Sequence, residues 1–393
     1  MMNMELLSHL KVIEIAQGVS APMATCRLAD LGAQVIKIEI GDGDWTRQCP
    51  PIMAIGGSST FYALNRGKKG VHFDSPSVSV LADIKQLVQT ADVLVTDQSS
   101  DKLSLMGLEG VDDDVCPWND KLVVAQLSDF GKKGPIAKRK GSEVIAQAMA
   151  GYTRYLGKIG EPSIRLGADV AGCSTAIFTV QAVLAALFER ESSHQGQRVD
   201  LSLLNSLLSM KTVHLAAQSD PDTFEGPRVG GAFYPPERGW QTKDKPITFA
   251  FGGAVGEQGR EGWVEFVKEI GLDHLLSDAR FDKTGRLTTG LGPLASELKS
   301  EYEVAFKKYP SAYIVEKVRE HGGFASVYLN HEELMSEHQV SEQNILVDVQ
   351  TPEFKTQVLD FPAKFSTFKP IIKKTALQQI EKNHSTHKTK VQD

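Results

Sequence analysis

A chain of 393 residues, 41% hydrophobic and 23% charged, has room for two or three domains of about 150 residues and is too apolar for a disordered protein. Its formal charge of −6, from 43 basic and 49 acidic residues, excludes a general nucleic-acid binder, which needs a basic field. The scattered Cys26, Cys49, Cys116 and Cys173 form no CxxC pair and read as reduced thiols of a cytoplasmic protein.

Residues 1–11 lack the basic-then-apolar order of a secretory signal. Residues 10–15 (LKVIEI) read as a buried strand carrying Val12, Ile13 and Ile15. Residues 22–32 read as a helix with Pro22 in its first turn and Gly32 closing it. Strands follow at 34–39 (QVIKIE) and 70–73, a helix at 77–90, then strands at 92–96 (DVLVT) and 121–127 (KLVVAQL). This alternation predicts an α/β fold: a parallel sheet covered by helices on both faces, with the ligand crevice at the C-terminal strand ends.

Helices are expected at 144–151 and 170–189. The apolar run 170–188 is broken by Ser174, Thr175, Thr179 and Gln181, and reads as a buried helix rather than a bilayer span of about 20 apolar residues. Cys173 falls on its small-residue face, where packing accounts for it. Residues 198–210 (RVDLSLLNSLLSM) open as a strand and turn helical. The Pro-, Gly- and charge-rich stretch 219–239 reads as a linker. Beyond it come a strand at 246–251 (PITFAF), helices at 262–270, 302–309, 312–321 and 332–339, and a strand at 344–350. The tail from 373 alternates charge with few large apolar residues, and its end is expected to be mobile.

Most motif tests fail. The first strand–turn–helix reads AQGVSAP, with Gly18 alone where a dinucleotide fingerprint needs three glycines, so Glu39 at the second strand end is weak support for a nicotinamide oxidoreductase. His331 and His338 are two helical turns apart, too far for one small ion, and no metal site is expected. There is no GxSxG elbow and no Walker A lysine loop, and FGKKGP after the 121–127 strand is a turn by pattern. Asp169, in RLGADVAGCST, directly precedes the buried helix and is a candidate N-cap. A helix N-terminus also favours an anion, and Gly167 and Gly172 leave space around the carboxylate, so a nucleophile reading stands beside the cap.

Several blocks together resemble the class III CoA-transferases, the family of formyl-CoA transferase and the carnitine CoA-transferase. They include LKVIEIAQGVSAPMATCRLADLGAQVIKIE with GDGDWTR, LNRGKKGVHFD, ADVLVTDQ, LSDFGKKGP and FPAKFS. The most specific is GADVAGCSTAIFTVQAVLAALFERESSHQGQRVDLSLLNS. The resemblance implies an acyl-CoA:carboxylate CoA-transferase with no cofactor, its coenzyme A thioester being a substrate. It implies an acyl-CoA donor and a small carboxylate acceptor as substrates, and an interlocked homodimer without nucleic-acid or membrane partners. The implied architecture is a Rossmann-like large domain built from both chain ends (1–218 and 326–393) with a small α+β domain (240–325) after the 219–239 linker.

By position, the resemblance makes Asp169 the nucleophile, Glu143 an acid near it and Gln17 a polar residue beside the thioester. It assigns CoA binding to Val19 and Ser20, to Phe73, Asp74 and Ser75, to Asp97, Gln98 and Ser99, and to Lys140, Gly141 and Ser142. Ile40 and Leu105 stand where the family often has Arg, which leaves a weak acyl-CoA-binding homologue as an alternative; Arg47, Arg66, Lys68, Lys69 and Lys102 are candidate replacements for the lost charge. Gly230-Gly231 and Gly252-Gly253 only partly replace the glycine loop of formyl-CoA transferase, which points to the carnitine-type branch. The segment 229–240 is expected to shape the acid pocket. Gly141-Ser142-Glu143 lacks the His of the 2-methylacyl-CoA racemase relatives, which disfavours racemisation.

Overall fold

The computed structural model describes residues 6–53, 57–153, 162–212, 215, 239–251, 257–278, 292–350, 355–370, 372 and 378–381. In chain order the first elements are β1 (Lys11–Ile15), α1 (Ser20–Asp30), β2 (Gln34–Ile40), α2 (Ser59–Asn65), β3 (Lys69–Phe73) and α3 (Val78–Gln89). Then come β4 (Val93–Thr96), α4 (Ser100–Leu105), β5 (Val123–Ser128), α5 (Glu143–Met149), α6 (Val170–Ser193), β6 (Arg198–Ser202) and α7 (Leu203–Ser209). The remaining strands are β7 (Trp240–Gln241), β8 (Pro246–Ala250), β9 (Phe324–Val327), β10 (Leu346–Gln350), β11 (Lys355–Leu359) and β12 (Gln378–Glu381).

Seven strands form one sheet in the order β12-β3-β2-β1-β4-β5-β6, and every pairing in it is parallel. Period-two alternation sends β1 side chains to two cores. Val12 joins Ala21, Leu28 and Ala29 of α1 and Val183, Ala186 and Leu187 of α6 on one face. Ile13 and Ile15 join Val80, Ile84 and Val88 of α3 and Leu103 of α4 on the other. The sheet is therefore covered on both faces, as the strand–helix alternation predicts.

The 24-residue α6 packs along α1 with Ala171, Gly172, Thr175, Ala176 and Thr179 buried. Its buried hydroxyls are satisfied within the helix, Thr175 Oγ1 donating to Ala171 O at 2.8 Å and Thr179 Oγ1 to Thr175 O at 2.7 Å. By length and composition α6 alone among the described helices is apolar enough to cross a bilayer, yet half of its apolar window is buried inside the protein. The helix ends at His194, whose φ of 60° is a left-handed C-cap. Gly196 follows against the backbone just before β5: a Cβ there would lie 2.2 Å from Leu122 O, so no side chain fits.

The chain divides into two compact units. One comprises Met1–Tyr152, Arg165–Thr212 and Ser341–Asp393, the other Thr153–Ile164 and Val213–Val340. The second unit holds the antiparallel sheet β7-β8-β9 around a core of Trp240, Phe249, Phe266, Tyr302, Phe306 and Ile314.

One boundary differs from the sequence reading. The return to the first unit falls at Ser341 rather than 326, because β9 pairs with β8, Tyr328 N donates to Pro246 O at 3.0 Å and Glu333 pairs with Lys245 at 2.6 Å. Within the tail, Gln378–Glu381 forms β12, which registers Ile380 against Val71 on the edge strand β3, and the end of the tail, 382–393, lies outside the described residues. The 219–239 linker, apart from Gly239, lies outside the described residues.

Candidate active site

The order of β3-β2-β1-β4-β5 reverses between β1 and β4, the switch point at which doubly wound sheets hold ligands beyond their C-terminal strand ends. The loop Gln17–Val19 leaves β1 there, and each of its early amides is held. Gln17 N donates to Asp97 Oδ2 at 3.0 Å, and Gly18 N donates to Asp44 Oδ1 at 3.1 Å. Gly18 has φ +82°, and a Cβ would sit 3.1 Å from the Trp45 ring, so conformation and space both call for glycine.

Beneath the loop lies a buried ionic network. Lys37 Nζ donates to Ala16 O at 2.9 Å, Asp44 Oδ2 at 2.9 Å and Glu14 Oε1 at 2.6 Å. Lys68 Nζ reaches Glu14 Oε2 at 2.7 Å, and Thr25 Oγ1 donates to the same oxygen. Burial by itself would push the Glu14 carboxyl up, but the Lys37 and Lys68 charges and their hydrogen bonds override it and hold it at about 2.

The start of α6 bears on the cap reading of Asp169. Asp169 occupies the N-cap position, yet its side chain makes no cap hydrogen bond. Glu143, the first residue of α5, does that work: Oε1 accepts from Ala171 N at 2.8 Å and Oε2 from Gly172 N at 2.9 Å. The Asp169 side chain is left 49% exposed, with Arg165 Nη2 3.5 Å away. Gly172 abuts the β1 loop, where a Cβ would stand 3.0 Å from Val19 Cγ1. One corner of the fold thus gathers Asp169, Glu143 and Val19, with Gln17 two residues along the same loop.

The other expected CoA-binding residues are spread unevenly. Val19 and Ser20 are half-buried where α1 begins. The Phe73 side chain is 2% exposed in the core with Ile13 and Ile38, and its carbonyl accepts from Gly41 N at 2.9 Å, so only its backbone faces the strand end. Asp74 and Ser75 beside it are exposed. Asp97 is taken up in ordering Gln17, Gln98 O accepts from Gln126 Nε2 at 2.6 Å, and Ser99 caps α4 through Lys102 N at 3.4 Å. Lys140 and Ser142 are exposed, and Gly141 N donates to Asp129 Oδ2 at 2.7 Å. A Cβ on Gly141 would strike the Phe130 ring at 2.7 Å.

A cleft of about 210 Å³ opens at these strand ends, with Ala16, Gln17, Glu39, Ile40, Gln98 and Lys102 in its wall. Of the five cations considered as replacements for the missing arginines, Lys102 lines it, with Nζ 3.3 Å from Gln98 Oε1. The others are committed elsewhere. Arg47 pairs with Glu39, Arg66 with Asp30 and Lys68 with Glu14, while Lys69 starts β3 at the opposite end of the sheet. The Arg47 pairing also accounts for Glu39, whose Oε1 takes the Asp44 amide at 2.9 Å as well. Residues 229–238 and Gly252-Gly253 lie outside the described residues.

Sequence reasoning missed three residues of this site: Lys37, Asp44 and Gln147. Gln147 was legible, since it stands one helical turn from Glu143 on a predicted helix. Its Nε2 donates to Glu143 Oε1 at 2.8 Å and to Ala168 O at 3.2 Å, and its Oε1 accepts from Leu166 N at 3.0 Å.

The model of CoA-transferase family III matches residues 7–376. The chain is 30% identical over 292 residues to the succinyl-CoA:glutarate CoA-transferase of Homo sapiens, across 73% of this chain and 64% of the human one. It therefore spans less than two thirds of that relative's length. It is 27% identical over 364 residues to the formyl-CoA:oxalate CoA-transferase of Streptomyces avermitilis, across 88% of this chain and 86% of that one. The crystal structure of a CAIB/BAIF family protein from Brucella suis matches with a TM-score of 0.80 at 22% identity, over 96% of this chain and 97% of the other. That likeness shows the shared fold.

Proposed function

Because the chain belongs to CoA-transferase family III, we propose that it moves coenzyme A from an acyl-CoA to a second small carboxylic acid, with Asp169 as the covalent carrier. The observation that carries this reading is the uncapped Asp169: a carboxylate at a helix start whose capping duty falls to Glu143. Had Asp169 bonded Ala171 or Gly172 N–H, the cap would have explained it completely.

The steps balance without a cofactor, the CoA thioester being itself a substrate. Asp169 attacks the thioester carbonyl; a C–O bond forms, the C–S bond breaks and CoA leaves as thiolate. The thiolate attacks the aspartyl carbonyl of the anhydride, and the donor acid departs as carboxylate. The acceptor carboxylate then attacks the aspartyl–CoA thioester, giving a new anhydride and thiolate. The thiolate takes the acceptor's acyl group and frees Asp169. No net proton moves, and the overall exchange of one CoA thioester for another is close to neutral in free energy.

Each tetrahedral oxyanion needs donors, typically worth about 3 kcal/mol apiece. Ala171 and Gly172 N–H are occupied by Glu143, so α6 contributes its dipole rather than those amides. The exposed Gln17 side chain, at the cleft and on the loop that meets Gly172 through Val19, is the proposed donor. Glu143 acts as a clamp, and Lys102 meets the phosphates of CoA in the cleft. The names of the relatives support transfer over binding alone or racemisation.

The proposed assembly is a homodimer. Along the outer side of α6, Ile177 is 54% and Phe188 83% exposed, with Gln181 and Ala185 between them at helical spacing. Light scattering should give twice the chain mass of 42.9 kDa. A monomer at micromolar concentration would refute this part.

The mechanism is tested by incubating the protein with succinyl-CoA, formyl-CoA and acetyl-CoA, quenching with hydroxylamine or borohydride, and mapping the adduct by mass spectrometry. The modification is expected on Asp169. Transfer that proceeds with Asp169 never labelled would overturn the covalent reading.

A further inference from the structure

We infer that Gln147 is the positioning residue that keeps Asp169 uncapped, acting through Glu143; the inference rests on the covalent role of Asp169. A helix start leaves its first amides without intrahelical acceptors, and an Asp at the N-cap ordinarily takes those two or three residues on. In α6 these are Ala171 and Gly172, and both go to a carboxylate 28 and 29 residues away in sequence. Glu143 has three side-chain torsions, so the arrangement persists only where something fixes its carboxylate.

Gln147 is wholly buried and fully engaged. Its Nε2 holds Glu143 Oε1 at 2.8 Å. The same amide grips the backbone that carries Asp169, through Ala168 O and Leu166 N. One side chain therefore fixes both the substitute cap and the approach to the nucleophile. Without it Glu143 swings free, and Asp169, the N-cap residue itself, is the nearest carboxylate to the vacated amides. A nucleophile spent on its own helix is misaligned, and misplacements on the ångström scale cost about 100-fold in rate.

The test compares wild type, Gln147→Met, Glu143→Ala and the double variant, each full-length and with succinyl-CoA as probe. Gln147→Met should slow formation of the Asp169 adduct about 10- to 100-fold with KM for the thioester within about twofold of wild type. The double variant should be no slower than Glu143→Ala alone, since both act on one device. Wild-type labelling rates in Gln147→Met, or losses that multiply in the double variant, would overturn the inference. If the methionine variant does not fold, Gln147→Glu carries the same test, because it accepts from Leu166 N but cannot donate to Glu143. A crystal structure of the folded variant reads the outcome without turnover: Asp169 bonded to Ala171 or Gly172 N–H supports the inference, and an unmoved Asp169 and Glu143 refutes it. Should wild type form no adduct at all, the covalent reading fails while the crystal structure still decides the role of Gln147.

Discussion

Asp169→Ala should lower CoA transfer about 10⁴-fold or more, the scale on which removal of a covalent nucleophile acts, while leaving the melting temperature within about 2 °C of wild type. Rate and stability separate here because the side chain does no capping. An N-cap Asp replaced by Ala ordinarily costs about 1 kcal/mol. Asp169 has only Arg165 at 3.5 Å to lose, and exposed pairs of that kind contribute between roughly zero and 1 kcal/mol. Glu143→Ala is the stability control: even where Asp169 turns in to cap the vacated amides, the tie between α5 and α6 and the acceptor of Gln147 Nε2 are lost, so it should melt lower than Asp169→Ala. A transfer assay with calorimetry on the two variants decides the matter. Equal melting losses, or Asp169→Ala retaining a tenth of wild-type turnover, would return Asp169 to the status of a cap.

Sequence alone reached Asp169 by two routes and could not choose between them, for a physical reason. N-cap preference is local, whereas the acceptor that relieves Asp169 comes from another helix, and no spacing within RLGADVAGCST reports it. Phe73 shows what strand parity carries: it sets Val71 and Phe73 on one face, and that face is the core shared with Ile13 and Ile38. That signal is present in the sequence. Among the candidate cations, Arg66 and Lys68 look free in LNRGKKG, and only the fold shows Asp30 and Glu14 waiting for them.

The central strands were legible because parallel strands buried on both faces read as short apolar runs, as in Val93–Thr96 and Val123–Ser128. The short polar β12 (QQIE) carries no such signature, and its strand character comes from the open edge of β3. The helices α2 and α4 are only seven and six residues long, too brief for a periodic pattern to stand out.

Lys37→Met should destabilise the fold by about 3–5 kcal/mol at neutral pH, the usual cost of removing one partner from a buried ionic network. The substitution keeps most of the volume but leaves Asp44 Oδ2 and Glu14 Oε1 without their cation. It also releases Ala16 O and loosens Asp44, whose other oxygen holds Gly18 N, so the loop bearing Gln17 should lose its fixed position and transfer should fall with stability. The pH dependence has a definite sign. Glu14 is depressed from its ordinary 4.5 to about 2 in the folded chain, so its contribution is present above 4.5 and is lost as pH falls towards 2. A depression of that size corresponds to about 3 kcal/mol for this fully buried carboxylate. In Lys37→Met only Lys68 still pairs with Glu14, its carboxyl rises, and stability should depend less steeply on pH between 4.5 and 2. Urea unfolding of both proteins at pH 7, pH 4 and pH 3 measures the two effects together. A loss below about 1 kcal/mol at pH 7, or equal pH slopes, would mean that water already screens the network and that it does not hold the loop beneath the reacting groups.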